Sequence, residues 1–244
     1  MLIKADLHIH TVLSPCGSFD MSPRNIISRV KALNLDAIAI SDHNTIYNAP
    51  AVKEIGEKEG VKVFYGMEAQ TIEEVHILTL FEDWKRIEAF YSEIYPHLPN
   101  IENDPDYFGD QIIVDKDENV IGEEKKLLAN SLELSIEELV ELVLKYGGFV
   151  IPSHIERERY GLLTNLYKVP DILKDSIMEI SYNANLEEIF KFYPFLKSYS
   201  LISNSDAHYP DDIGRAYTEY EVSEINLKQI YKAAKEGKYR VIRK

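Results

Sequence analysis

Asp6-Leu7-His8-Ile9-His10-Thr11 follows a short apolar run, Met1 to Ala5, and reads as the end of a first β-strand. Side chains on a strand alternate faces with period two. His8 and His10 therefore point one way, and Leu7 and Ile9 the other. Two imidazoles on one face, with backbones roughly 6–7 Å apart, can close on one ion. Taken alone, the pair reads equally as two satisfied histidines on a half-buried strand. Further groups of the same kind, delivered at similar places along the chain, separate the two readings.

The next segments repeat the pattern. Ser22-Pro23 opens a helix with Ile26, Ile27, Val30 and Leu33 at helical spacing. Asp36 to Ile40 is a second apolar strand, ending Ser41-Asp42-His43-Asn44. A helix over about 49–59 stops at Gly60. Val61 to Tyr65 is a third strand, running into Gly66-Met67-Glu68. Val75 to Phe81 is a fourth, with His76 at its start. A helix follows over about 83–95. Ser135-Ile136-Glu137-Glu138 forms a capping box. Its helix leads to a fifth strand, Phe149 to Ile151, ending Pro152-Ser153-His154. Ser176 to Ser181 gives a sixth strand. Ser200 to Ser203 gives a seventh, ending Asn204-Ser205-Asp206-Ala207-His208. Asn226 caps a last helix. The alternation predicts a parallel sheet with crossover helices, closed as a barrel. An open doubly wound sheet is the weaker alternative, because no glycine-rich nucleotide fingerprint follows strand one.

Residues of about 98–134 break the rhythm. They are acidic and turn-rich, and two short apolar runs around Asp115 to Asn119 predict a hairpin. Such an insertion either overhangs the site or forms a passive surface excursion.

A chain of 244 residues suits one α/β barrel-sized domain, read as spanning 1–244. The net charge of −14 argues against a duplex nucleic-acid surface. It leaves room for a small anionic substrate, because bound cations reverse the local field. One cysteine forms no disulfide within the chain and suits a reducing cytoplasm. There is no signal-peptide pattern and no membrane-length apolar run, so a cytoplasmic protein without a membrane partner is expected.

In a βα barrel the strand ends of one face converge. His8, His10, Asp42, His43, Glu68, His76, His154, Asp206 and His208 all fall at or beside strand ends. Of the seven histidines only His97 lies elsewhere, near the end of a helix. Imidazoles and carboxylates crowded into one cleft are costly to bury unless divalent cations join them. A cluster this large exceeds what one ion needs and implies two to three. Paired cations about 3.5–4 Å apart lower the pKa of a shared water and neutralise phosphoryl oxygens. The expected reaction is hydrolysis by a multinuclear metal-bound hydroxide, with phosphoesters favoured.

These segments together resemble the motifs of the polymerase and histidinol phosphatase (PHP) superfamily, in order from Ile3 to about Gly214. The resemblance implies an α/β fold of the distorted (βα)7 TIM-like barrel type with a trinuclear site. By matching positions, His8, His10, Glu68 and Asp206 would hold a first metal, and His43 and His208 a second. Glu68, His76 and His154 would hold a third. Asp42, His43 and His208 are the candidate catalytic residues, Asp42 as a supporting or proton-handling group. The chain departs from many relatives at position 16, where the loop reads Ser14-Pro15-Cys16-Gly17 in place of an Asp or His. Cys16 is thus a candidate second-metal ligand, and a thiolate there favours zinc or iron, with manganese also possible and magnesium disfavoured. The competing reading is a thiol packed in a tight loop.

Arg157, Arg159 and Arg215 are candidate phosphate clamps, set against the reading of each as a surface charge. Tyr160 and Tyr209 could stack on a ring. The expected activity is that of a phosphoesterase acting on a small phosphorylated metabolite or short nucleotide. An amidohydrolase-type metal hydrolase and a non-catalytic metal-binding regulatory module are the alternatives. The sequence leaves the oligomeric state open.

Overall fold

The computed structural model describes residues 1–244. In chain order, β1 (Leu2–Ile9), α1 (Pro23–Ala32), β2 (Ala37–Ile40), α2 (Ala49–Lys58) and β3 (Lys62–Gln70) form two parallel crossovers. β4 (His76–Phe81) then returns antiparallel to β3, followed by α3 (Trp84–Ile94). The insertion carries α4 (Pro105–Phe108) and the hairpin β5 (Ile112–Val114) and β6 (Val120–Glu123). After it come α5 (Ile136–Lys145), β7 (Phe149–Pro152), α6 (Leu162–Leu166), β8 (Met178–Glu179), α7 (Leu186–Phe192) and β9 (Leu201–Ile202). The chain closes with β10 (Ala216–Glu221), α8 (Leu227–Lys235) and β11 (Tyr239–Arg243).

Seven strands form one curled sheet in the order β11-β10-β1-β2-β3-β4-β7. The fold is α/β, a half-barrel of the distorted TIM-like kind. The expected parallel sheet is corrected in three places. β4 runs antiparallel to both β3 and β7, because only a five-residue turn separates it from β3 and no crossover helix fits there. β8 and β9 form a separate parallel pair. It is tied to the sheet where Ile9 bridges Ala207. β10 and β11 are additional strands, and β10 pairs antiparallel with β1. Their alternating Tyr217-Thr218-Glu219-Tyr220 and Arg240-Val241-Ile242-Arg243 patterns carry a strand signal.

Each face of the sheet has its own apolar layer. Ala37 and Ala39 of β2 join a core with Ile3, Leu7, Phe64 and, from α8, Leu227, Ile230 and Ala234. Ile38 and Ile40 face a second core beneath α1 and α2. Burial on both sides suits the short β-branched run of a central strand. A third core gathers α3 and α5 against β4. The helix ends follow local rules. The Ser135 capping box forms, and Asn226 accepts from the Gln229 N–H. Ser22 occupies the N-cap of α1 without a side-chain bond, leaving Pro23 to set the start. No helix is long and apolar enough to cross a membrane.

The insertion is fastened to the loop that leaves β2. Asn44 donates to the carbonyls of Leu128 and Asn130. Asn48 donates to the Ile112 carbonyl and accepts from the Val114 N–H. Gly109 is required by contact: a Cβ there would lie 2.1 Å from the Pro15 carbonyl oxygen. These contacts hold the segment against the loops that follow β1 and β2.

Candidate metal centre and active site

β1 loses register against β2 between Asp6 and Ile9, the kind of irregularity that re-aims side chains. His8 and His10 come together there, their Nε2 atoms 3.1 Å apart. His8 Nε2 also lies 3.2 Å from Glu68 Oε1 and 3.3 Å from Asp206 Oδ1. Both imidazoles are fully buried.

The protons on these rings can be assigned from their other neighbours. His8 Nδ1 is 3.1 Å from each oxygen of Glu179, so it donates. Ser14 Oγ donates to Asp42 Oδ1 at 2.7 Å, and so it accepts from His10 Nδ1 at 3.0 Å. In the neutral rings both Nε2 lone pairs therefore face one another and the carboxylates, with no hydrogen between them. Glu68 Oε1 and His76 Nδ1 stand 3.2 Å apart yet neither has a hydrogen-bond partner. Donor atoms that approach without hydrogen-bond geometry are what divalent cations require. The residues fit the multinuclear metal centre that the sequence implies.

Three compact sets of potential ligands emerge: His8, His10, Glu68 and Asp206; His10, His43 and His208; and His43, Glu68 and His76. The first is the set expected from the sequence. The other two differ, because His10 and His43 are each shared. The ring centroids of His10 and His43 are 4.5 Å apart, and those of His10 and His208 are 4.1 Å apart. His154 approaches through Glu68, with Nε2 3.3 Å from Oε1. His76 reaches the cluster from a strand start because the antiparallel pairing sets it opposite Gln70, at the end of β3.

Electrostatics reflect this crowding. Burial presses the His8 imidazole down, but Glu68, Glu179 and Asp206 overcome it and hold it well above its ordinary value. Burial, then the nearby His208, takes His10 down to about 3. His43 and His76 are also lowered, chiefly by burial. Glu68 and Asp206 are held well below the usual carboxylate range: burial opposes this, and the surrounding histidines outweigh it. His10, His43 and His76 resist protonation and the carboxylates stay ionised, which suits the cluster to cations.

The structure gives several of the expected residues other neighbours than the ligand sets. Cys16 is exposed and belongs to none of the three sets. Its loop is closed by the Ser14 N–H to the Thr11 carbonyl, the Gly17 N–H to Ser14 and the Ser18 N–H to His208, and the set containing His43 and His208 is completed by His10. Desolvation, then the fields of Glu68 and Asp206, push its thiol up to about 12. Asp42 is engaged by the Thr11 N–H and hydroxyl and by Ser14, so it acts on the cluster by holding Ser14 against His10. Arg215 donates to the carbonyls of Ser205 and Asp206 and to Asp212, and lies 3.8 Å over the Tyr182 ring. It braces a loop and is not a free clamp.

Arg157 contacts Asp206 Oδ2 at 2.7 Å and is one-third exposed, at the open side of the cluster. Arg159 lines a polar cavity of about 430 Å³ with Gln70, Asn130, Ser131 and Tyr160. Tyr160 stacks on His76 with centroids 4.4 Å apart, and Gln70 contacts His76 Nε2 at 3.1 Å, so this cavity adjoins the cluster. Tyr209 lines a separate depression with Arg29 and Asp211. His97 takes no part, although its carbonyl accepts from the Glu133 N–H. Sequence reasoning missed Glu179, Asn204, Ser14 and Gln70. Glu179 carried a signal, as a lone acid inside an otherwise apolar strand.

Residues 6–157 match the family described as PHP domain, and residues 197–239 match the one described as PHP-associated. The chain belongs to the PHP domain family. It is 40% identical over 90 residues to the uncharacterized protein MJ1587 of Methanocaldococcus jannaschii, covering 33% of this chain and 53% of that one. The chain thus spans about half the length of that relative. Its fold is shared with the lesion-specific endonuclease Q of Pyrococcus furiosus, at a TM-score of 0.74 and 21% identity over 99% of this chain and 58% of that one. It is also shared with a putative metal-dependent phosphoesterase of Bifidobacterium adolescentis, at a TM-score of 0.58 and 17% identity over 84% and 88% of the two chains.

One expectation is overturned here. Endonuclease Q has been solved in complex with a 27-mer duplex substrate bearing an abasic lesion, and that structure aligns with 97% of this chain at a TM-score of 0.73. The total charge of −14 therefore does not exclude a duplex partner for this fold. Field at a site is set by bound cations and local arginines rather than by the sum over the chain.

Proposed function

We propose that this chain is a phosphoesterase working as one PHP-type unit, with the insertion of 98–134 as a wall of its mouth. The reading is carried by three overlapping ligand sets that share His10, His43 and Glu68. Bound divalent cations would activate water as a nucleophile and neutralise phosphoryl oxygens. His8, His10, Glu68, Asp206, His43, His208 and His76 would hold them, with His154 supporting through Glu68. The side chains of His208 and Arg157 are 21% and 34% exposed, against 0–1% for His8 and Glu68, so substrate enters on their side. Arg157 would meet the phosphoryl group. Arg159, Tyr160 and the amides of Gln70 and Asn130 would hold the remainder of a small phosphorylated metabolite or short nucleotide. The cavity volume suits such a ligand.

A second reading, favoured by the fold shared with endonuclease Q, is cleavage of a phosphodiester in lesion-bearing duplex DNA. Protein loaded with Mn²⁺, Zn²⁺, Fe²⁺ or Mg²⁺ should be assayed on a phosphomonoester panel, a generic phosphodiester, 3′,5′-bisphosphonucleotides and an abasic-site duplex. Chelator-sensitive turnover of the small substrates supports the first reading, and cleavage of the duplex alone supports the second. Failure on all of them with metal-replete protein overturns the phosphoesterase reading.

A further inference from the structure

Glu179 is fully buried, stands at the end of a two-residue strand and is not among the ligand sets. Its surroundings contain donors only. The Leu7 N–H donates at 2.8 Å to Asn204, so the amide atom facing Leu7 is the oxygen. The other amide atom is therefore the nitrogen, and it donates to Glu179 Oε2 at 2.7 Å. The His154 N–H donates to Glu179 Oε1 at 3.3 Å. His8 Nδ1 lies 3.1 Å from both oxygens. Three donors meet one group, and only a carboxylate accepts at both of its oxygens.

We propose that Glu179 is the positioning residue of the metal centre: it fixes the proton of His8 on Nδ1, and so directs the Nε2 lone pair at the cation held with His10, Glu68 and Asp206. The orientation is anchored in β1 itself, since the backbone of Leu7 sets Asn204, Asn204 sets Glu179, and Glu179 sets His8. The same carboxylate holds the backbone of His154 at φ +27, a conformation that a non-glycine residue keeps only when its surroundings impose it. Glu179 thereby couples His8 to His154. This inference rests on the reading of the cluster as a metal centre.

The test is zinc affinity, measured by competition with a chromophoric chelator, in wild type and in Glu179→Gln. A glutamine has one acceptor and one donor end. Whichever way it turns, its NH₂ confronts either the Asn204 amide or the His154 N–H, and His8 Nδ1 keeps one neutral amide oxygen in place of a charged carboxylate that accepts at both oxygens. The expected result is a ten- to hundredfold loss of affinity with the folded state retained, in line with outer partners of metal-bound histidines. Equal affinities in the two proteins overturn the proposal and leave the metal centre standing. Wild type that takes up no zinc overturns both. A readout independent of any variant is the ¹⁵N-edited spectrum of zinc-loaded wild type. There His8 should show a downfield, exchange-protected proton on Nδ1. A proton on Nε2 with zinc on Nδ1 overturns the proposal even if Glu179→Gln fails to fold.

Discussion

The two halves of the metal centre are built differently. His8, Glu68 and His76 ride on β1, β3 and β4, where ladder hydrogen bonds of the seven-stranded sheet orient them, and His10 follows directly after β1. His154, Asp206 and His208 instead leave β7 and the two-residue β9 on irregular backbone, with φ +27 at His154 and φ +50 at Asp206. Side chains replace the ladder on that half. Asp6 accepts from the Ser205 and Gly214 N–H groups, Arg215 grips the Ser205 and Asp206 carbonyls, and Glu179 takes the His154 N–H. A ligand on a strand is placed by its neighbours in the sheet, whereas a ligand on a loop depends on buried polar braces.

The comparison can be broken most forcefully from the strand side. His8→Ala should abolish turnover and release metal, a larger effect than the ten- to hundredfold cost of losing an outer partner, read by elemental analysis and by hydrolysis of a generic phosphoester. Retained metal and turnover would show that the strand half is not the foundation. On the loop side, Arg215→Ala should lower stability by about 1–3 kcal/mol and cut activity while leaving the strand-borne ligands in place. Arg215→Lys should not rescue it, since an ammonium lacks the planar fork that spans two carbonyls and the stack on Tyr182. Thermal unfolding with paired activity assays separates these outcomes.

Asp6 sharpens the comparison through pH. Burial raises its pKa from 3.8 to about 6. Between those values the folded state binds the extra proton, so the stabilisation is complete below 3.8 and is lost as pH rises through about 6. A gap of about two units corresponds to roughly 3 kcal/mol at most. The stability difference between wild type and Asp6→Asn should therefore move in favour of the variant as pH rises from about 4 to about 8. A difference that stays flat would place Asp6 at an ordinary carboxylate pKa. Arg159→Ala should raise KM several-fold with kcat near wild type, because it touches the cavity and not the cluster. Cys16→Ser should change least: metal content stays constant, and the wild-type thiol, raised to about 12, alkylates slowly near pH 8 despite its exposure.

The cluster was legible because its members are unusual residues in a repeated position. His8-x-His10, Asp42-His43, Glu68, His154 and Asp206-x-His208 each follow a short apolar run that reads as a strand, and strand ends of one face meet. The braces were not legible. Ser14, Asn204 and Gln70 are ordinary polar residues, and nothing local to Glu179 says which ring it will meet 171 positions away. Cys16, a candidate ligand by the resemblance, belongs to none of the three ligand sets, and only the folded loop after β1 decides that.

By itself the sequence determined the strand-and-helix order, the family and the inventory of groups that converge, because hydrophobic periodicity and the chemistry of imidazole and carboxylate are local properties. The tertiary structure alone decided that β4 runs antiparallel and so delivers His76 from a strand start, that His10 and His43 are shared between sets, and that Arg215 is spent on two carbonyls. Each of these depends on which segments lie side by side across long separations, and pairing of that kind is settled by packing of the whole chain rather than by any stretch within it.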